Sequence, residues 1–582
     1  MAPFSLPQLA LAAALLASCA APPPAPAPTP TPPVVVSAPA SPPAPPIALR
    51  ILAFNDFHGN LEPPHGHDGF VIGANKVPIV AGGAAYLAAH VAQLRVGHEH
   101  TIVVSSGDLT GASPLVSNLF FDEPTVRVMG LLGLDFEGVG NHDFDRGLPE
   151  LLRLQKGGPR PPGPKGLDFS TLPPFGGARY EYLAANVRGA DGKTVLPPYA
   201  IKDVGGVKVA FVGMTLEGTP SMLTKEAKAG LSFANEAATA NALLPELRQQ
   251  GVRTAILLLH QGGFQGEGGT YDSCIGLGGD ILRVLRDLDP AFRVVLTAHT
   301  HQAYRCTIDS RSVTSAASYG RLITVLDLSL DAKTGELKDL HAENVAVTRD
   351  IPPDPAVAAL VEDYESRARP VTDRVVGYLK ATLMRDPKAA HSPSCETPLG
   401  DVIADAELAA TARSGASIAF MNPGGVRTDL MAAGGAITSP IHYGDAFEVQ
   451  PFGNGLVTLS LTGLQLFAIL EHQFAGERPR VLSVSSGFRY AYRVDRATRS
   501  VTIDRASIRL GGKALDPSKV YRVTVSSFLA DGGDGFSVFR DATDRTAGPT
   551  DIDAFVAYLE RSTEKSPVTA PKLERVLGDA CE

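Results

Sequence analysis

Five apolar runs in the first half of this chain stop on the same kind of residue. "RILAFND" runs into Asp56 and His58, "TIVVSSGD" into Asp108, and "DFEGVGNHDFD" into Asn141, His142, Asp143 and Asp145. "RTAILLLHQGG" ends on His260, and "FRVVLTAHTHQ" on His299 and His301. Short apolar stretches bounded by Gly read as buried strands. Between them lie helical patterns such as "GGAAYLAAHVAQLR", "PTVRVMGLLG", "NEAATANALLPELRQQG" and "GGDILRVLRDL". Strands alternating with helices specify an α/β layered domain, in which ligands gather where strands end and loops begin. Gly beside the polar groups lets the backbone turn sharply and lets a ligand come close. The Asp-x-His and His-x-His spacings are expected to put both side chains on one side of an extended segment.

At 582 residues the chain is too long for a single core. The α/β pattern fills residues 47–350, "DPAVAALVEDYESRARPVTD" reads as a connecting helix over 351–372, and an α+β domain follows over 373–582. No internal repeat is visible. The formal net charge of −9 and the absence of any Lys/Arg-rich run argue against binding of nucleic-acid polymers.

The N-terminus reads as an export signal. "LPQLALAAALLASCA" is apolar but too short to span a bilayer. Leu16-Ala17-Ser18-Cys19 resembles a bacterial lipobox, so residues 1–19 read as a lipoprotein signal peptide with Cys19 as the lipidated residue. An ordinary cleaved signal peptide is the alternative, and no Lys or Arg precedes the apolar stretch. The Pro/Ala-rich residues 20–46 can form neither helix nor sheet and read as an extended tether. This places the protein outside the cytoplasm, in the periplasm or cell envelope, with the membrane touched only through the lipid. Apart from Cys19, four Cys remain, which allow three pairings. Cys274 with Cys306 and Cys395 with Cys581 keeps each bridge inside one domain and is the expected pattern.

The polar strand ends suit a pair of divalent cations. Imidazole nitrogens mixed with carboxylate and amide oxygens fit Zn, Mn, Co or Fe better than Ca or Mg alone. Two such ions bring four positive charges, of which Asp56 and Asp108 would remove two. The remaining positive charge suits a phosphate dianion. His65, His67, His98 and His100 lie in polar loop-like stretches instead and are expected to be exposed.

"NDFHGN", "SGDLTG", "GNHDFD", "LLLHQGG" and "TAHTHQ", in that order, resemble the calcineurin-like metallophosphoesterases. More narrowly they are similar to the bacterial periplasmic 5′-nucleotidase/UDP-sugar hydrolase family, from about Leu49 to about Phe536. The resemblance implies a four-layer α/β/β/α domain joined by a helix to an α+β substrate domain. It implies that Asp56, His58 and His301 hold one metal, that Asn141, His260 and His299 hold the other, and that Asp108 bridges them. His142 and Asp145 match the family's catalytic dyad, with no catalytic part implied for Asp143.

The second half carries the substrate side of the resemblance. "NPGGVR" supplies Asn422 and Arg427, with Pro423 in place of one family Gly. "QPFGN" supplies Phe452 and Asn454, and "SSFLADGGDGF" supplies Phe528 and Asp534. In the family two such Phe residues sandwich the base, the Asp binds ribose hydroxyls, and the Arg grips phosphate. "HSPSC", just before "ETPLGDVIADA", departs from the family by lacking Arg or Lys. The expected activity is hydrolysis of nucleoside 5′-monophosphates, or of UDP-sugars, by a metal-activated hydroxide. A 2′,3′-cyclic-nucleotide phosphodiesterase/3′-nucleotidase is the alternative within the class, and a surface nucleotide-binding protein that has lost catalysis the alternative outside it.

Overall fold

Strand Ile47–Phe54 runs through a six-stranded sheet, antiparallel to Leu322–Leu330 on one side and parallel to Thr101–Ser105 on the other. Leu337–Ala346 closes one edge, and Phe136–Gly138 and Glu181–Leu183 extend the other. A second six-stranded sheet runs in the order Ala303–Ile308, Arg311–Ala316, Val294–Thr297, Thr254–His260, Val207–Thr215 and Tyr199–Val204. This computed structural model describes residues 45–162, 169–433, 438–476, 479–496, 498 and 500–581. The signal segment, Cys19 and nearly all of the tether lie outside them, as does the side chain of His67.

Alternation along each strand explains the near-continuous apolar runs, because both faces of both sheets are covered. Leu49, Ile51 and Ala53 meet Val209, Phe211, Ile256 and Leu258 in a core between the sheets. There the rings of Phe136 and Phe211 stack across the gap with centroids 5.1 Å apart. Leu52 and Phe54 face outward into a core shared with helices Ala84–Arg95 and Glu123–Leu132. Leu257 and Leu259 do the same with helices Glu236–Gln249 and Asp280–Asp287. The result is the expected α/β/β/α sandwich. The sheets approach closely at Gly138, where a Cβ would sit 2.8 Å from Leu258 Cβ and 3.3 Å from Gly213 Cα. A hydrogen atom is all this position accepts.

The connecting helix spans Pro355–Thr372. It starts where its cap is: the Asp354 carboxylate accepts from the N–H groups of Ala356 and Val357, and Pro355 takes the first turn, where no N–H is needed. Val357, Val361, Tyr364 and Ala368 form its buried stripe, with the Tyr364 ring 4.9 Å from that of Phe120. The second half builds a five-stranded sheet in the order Ser483–Val484, Ile418–Met421, Val520–Ser526, Gly455–Thr462 and Thr543–Thr550. Helices Pro398–Thr411 and Asp551–Leu559 accompany it, and a four-stranded sheet around Phe488–Val494 shares a core with it. From Pro45 onward the chain is one compact unit.

Both expected disulfides are present, Cys274–Cys306 with Cα atoms 5.1 Å apart and Cys395–Cys581 with 5.2 Å. The second fastens the C-terminus to the segment leading into helix Pro398–Thr411. Among the described residues no helix is long and apolar enough to cross a membrane.

Candidate dimetal centre and substrate cavity

Five strands deliver the polar residues to one place. Ile47–Phe54, Thr101–Ser105 and Phe136–Gly138 belong to one sheet, and Thr254–His260 and Val294–Thr297 to the other. All five present their carboxyl ends. Two groups result, Asp56 with His58 and His301, and Asp108 with His260 and His299, and in each the donor atoms lie within 4.8 Å of one another.

The backbone achieves this differently from the extended geometry expected. Asp56, His58, Asp108, His299 and His301 all have left-handed backbones, with φ of 49°, 47°, 53°, 70° and 54°. Such angles are strained for residues with a side chain and persist only where surroundings enforce them. Here the N–H of Asp56 donates to Gly107 O at 2.9 Å and that of His58 to Asp108 O at 3.0 Å. The His299 N–H donates to the Asp56 carboxylate at 3.1 Å. The left-handed turns send His299 to one group and His301 to the other, so the His-x-His pair is divided rather than aligned.

Lone pairs converge in both groups. His58 Nδ1 faces Gly111 O at 2.9 Å, which assigns its proton there and leaves Nε2 bare, 3.1 Å from His301 Nε2. His260 Nδ1 faces Ser106 O at 2.8 Å, and its Nε2 lies 3.1 Å from Asn141 Oδ1. His299 Nδ1 is 3.0 Å from the same oxygen. Asp108 Oδ2 is buried without a well-directed hydrogen bond, 3.1 Å from His260 Nε2 and 3.7 Å from His58 Nε2. Facing nitrogens and an orphaned carboxylate oxygen are what cations would satisfy.

The electrostatics agree with this reading. Burial holds the imidazoles of His58 and His301 well below their ordinary range and His299 at about 3, so these rings are neutral, the ligating form. Burial works against charge on His260 too, but Asp108 outweighs it and raises His260 to about 9. A proton there occupies the place a cation would take.

His142 lies on a short 3-10 turn, His142–Phe144, where a strand-like path was expected. The strand itself ends at Gly138. His142 Nδ1 and Asp145 Oδ2 are 2.9 Å apart. Burial disfavours the charged ring, yet Asp145 and Asp108 overcome it and raise the His142 pKa. The turn gives Asp143, for which no catalytic part was expected, a structural one. Its Oδ2 accepts from the N–H groups of Asp108 at 3.0 Å and Gly140 at 2.8 Å. Its Oδ1 accepts from Thr110 N at 3.1 Å and Thr110 Oγ1 at 2.8 Å. Asp143 thus ties the Asp108 loop to the Asn141 loop. A sequence pattern read as extended hides this, since the contacts depend on the turn.

A cavity of about 530 Å³ opens beside His142 and Asp145. All six substrate residues expected from sequence line it: Asn422, Arg427, Phe452, Asn454, Phe528 and Asp534. The Phe452 ring stacks on His142 with centroids 5.7 Å apart and 20° between planes, and Arg427 Cζ lies 5.7 Å from the same Phe ring. Asn422 Nδ2 donates to Asp534 Oδ2 at 2.8 Å. Arg146, Arg480 and Asp551 also line the cavity, and no motif flagged them. His65 and His98 are exposed, as expected of loop residues, and His100 is half-buried.

Comparison with known proteins follows the same division. Residues 49–303 match the model for calcineurin-like phosphoesterases, and residues 375–541 that for the 5′-nucleotidase C-terminal domain. The chain is similar to the endonuclease YhcR of Bacillus subtilis, at 31% identity over 91% of this chain and 41% of that protein. It thus spans less than half the length of that relative. It is also similar to a cell wall protein of Listeria monocytogenes, at 30% identity over 90% of this chain and 69% of that one. The crystal structure of a 5′-nucleotidase precursor from Thermus thermophilus superposes with a TM-score of 0.72 at 26% identity, covering 91% of this chain and 99% of that one. With both halves matched in order and the metal-ligand chemistry in place, the chain belongs to the 5′-nucleotidase family of calcineurin-like phosphoesterases.

Proposed function

We propose that the protein is an exported dimetal phosphohydrolase that cleaves nucleoside 5′-monophosphates to nucleoside and phosphate. The observation that carries this is a single cavity shared by the His142–Asp145 pair and the aromatic and polar residues of the second half. Residues 47–350 form the phosphoesterase domain, 351–372 the linker and 373–582 the substrate domain. Asp56, His58 and His301 would hold one divalent cation and Asn141, His260 and His299 the other, with Asp108 between the two groups. The donor set suits Zn, Mn, Co or Fe. Such ions supply Lewis-acid stabilisation of negative charge on a phosphoryl group.

The chain's own residues do the rest. Phe452 and Phe528 stack on the base, Asp534 accepts from ribose hydroxyls, and Asn422 fixes the Asp534 carboxylate. Arg427 offers its planar fork to the phosphate; its Nε is buried without a partner. With no Arg or Lys in "HSPSC", Arg427 takes the larger share of the protein's side of phosphate binding, with Arg146 and Arg480 in the same cavity. Asp145 accepts from His142 Nδ1 and, with Asp108, favours the doubly protonated ring, so that Nε2 carries the proton given to the leaving ribose oxygen as the phosphorus–oxygen bond breaks. The oxygen of water ends on the phosphate. All ligand positions and the dyad are intact, which disfavours a lapsed, merely binding protein.

The test is a hydrolysis panel on the metal-loaded protein: nucleoside 5′- and 3′-monophosphates, 2′,3′-cyclic nucleotides, UDP-sugars and, because one relative is named an endonuclease, a single-stranded oligonucleotide. The 5′-monophosphates should be the preferred substrates, and chelation should abolish turnover. Preference for cyclic or polymeric substrates would replace this reading.

A relative in the cell wall and two disulfides fit an exported protein. We propose that Cys19 carries the lipid anchor and residues 20–46 tether the body to the envelope. The native protein should partition into detergent and Cys19→Ser into the aqueous phase; equal partitioning would remove the anchor.

A further inference from the structure

Stacking between two phenylalanines accepts any flat base, so discrimination among bases needs a polar group with a fixed direction. Asn454 lines the cavity, but a carboxamide has two opposite ends, a donor and an acceptor. Its neighbour settles which end faces where. Asp551, the first residue of helix Asp551–Leu559, is only 3% exposed and lines the same cavity. Its N–H donates to the Asn454 backbone carbonyl at 2.8 Å, and its Oδ2 accepts from Asn454 Nδ2 at 3.2 Å. Its Oδ1 accepts from Ile552 N at 2.7 Å, so the carboxylate is held at both oxygens.

We propose that Asp551 orients the Asn454 carboxamide so that its oxygen faces the base, and that this selects nucleobases bearing an exocyclic amino group over those bearing a carbonyl at the same ring position. The inference rests on the nucleotidase reading above. Burial raises the Asp551 pKa to about 6, which leaves the group ionised at neutral pH. An ionised carboxylate only accepts, so the NH₂ end of Asn454 must point at it. Among the described residues Asn454 Oδ1 accepts no hydrogen bond. Glu407 is pushed well above the ordinary carboxylate range by burial and then by the charge of Asp551, which disfavours a second charge beside Asp551. Adenine and hypoxanthine differ at the 6-position by amino against carbonyl, and cytosine and uracil differ likewise at the 4-position. An amino group meets the Asn454 oxygen as a donor, whereas a carbonyl meets it acceptor to acceptor.

Asp551 is therefore a positioning residue, and the readout is a ratio rather than a rate. The experiment compares kcat/KM for AMP against IMP and for CMP against UMP, in the wild type and in Asp551→Asn, with p-nitrophenyl phosphate as the base-free reference. The wild type should favour the amino base in each pair by about 10-fold. Asp551→Asn, equal in size, can offer donor or acceptor to Asn454, so both ratios should fall toward one. Asn454→Ala should flatten the ratios as well and serves if Asp551→Asn fails to fold, which loss of the reference activity reveals. Wild-type ratios near one, or ratios that both variants leave unchanged, overturn the proposal. Failure to hydrolyse any of the four nucleotides overturns the nucleotidase reading, and this inference with it.

Discussion

Asp108→Asn should strip both cations from the protein and lower kcat/KM by at least about 10³-fold. One carboxylate oxygen faces both donor groups, at 3.1 Å from His260 Nε2 and 3.7 Å from His58 Nε2. The other oxygen accepts the His142 N–H at 2.8 Å. An amide is isosteric and retains that second contact, but it removes the negative charge that the two groups share. Without that charge, the imidazoles crowd together with only Asp56 to balance the cations. Metal analysis by mass spectrometry should find close to two ions per wild-type chain and fewer than one in the variant. A variant that kept two ions and most of its rate would show that Asp108 does not bridge.

His142→Ala should separate binding of metal from use of it. His142 is not in either donor group; it meets them through its backbone N–H to Asp108 and its ring beside His58 at 5.1 Å. Removing the imidazole leaves every donor in place, so metal content should stay at the wild-type level while kcat falls by about 10²- to 10⁴-fold. Asn141→Ala, one residue away, should do the opposite. Its Oδ1 lies 3.1 Å from His260 Nε2 and 3.0 Å from His299 Nδ1, so its loss should weaken one cation selectively. If both variants lost metal in equal measure, the division of the loop into a ligand and an acid would be wrong.

Much of this site was legible before any coordinates. The five polar strand ends could be read because strands buried on both faces leave no polar residue inside, so each Asp or His marks where the strand stops. That Phe452 and Phe528 would line one cavity was legible only through resemblance, since taken singly they look like core. The backbone was not legible. Nothing in "NDFH" or "HTH" says that Asp56, His58, His299 and His301 adopt left-handed angles, because those are imposed by hydrogen bonds from loops distant in sequence. Asp143 and Asp551 escaped for a related reason. Asp143 acts through backbone groups of a neighbouring loop and Asp551 through a side chain about a hundred residues away, and neither kind of contact leaves a spacing rule behind.

The close approach of the sheets at Gly138 has a consequence for how this centre tolerates change. Three of the loops that carry the candidate ligands hang from one sheet and two from the other, so the gap between sheets sets the separation of the donors. Leu258 fills that gap two residues before His260, and Phe136 and Phe211 stack across it. The apolar interior is therefore a gauge for coordination: a methyl group added between the sheets would detune a metal centre it never touches. Selection on catalysis would act on these core residues as strictly as on the ligands themselves.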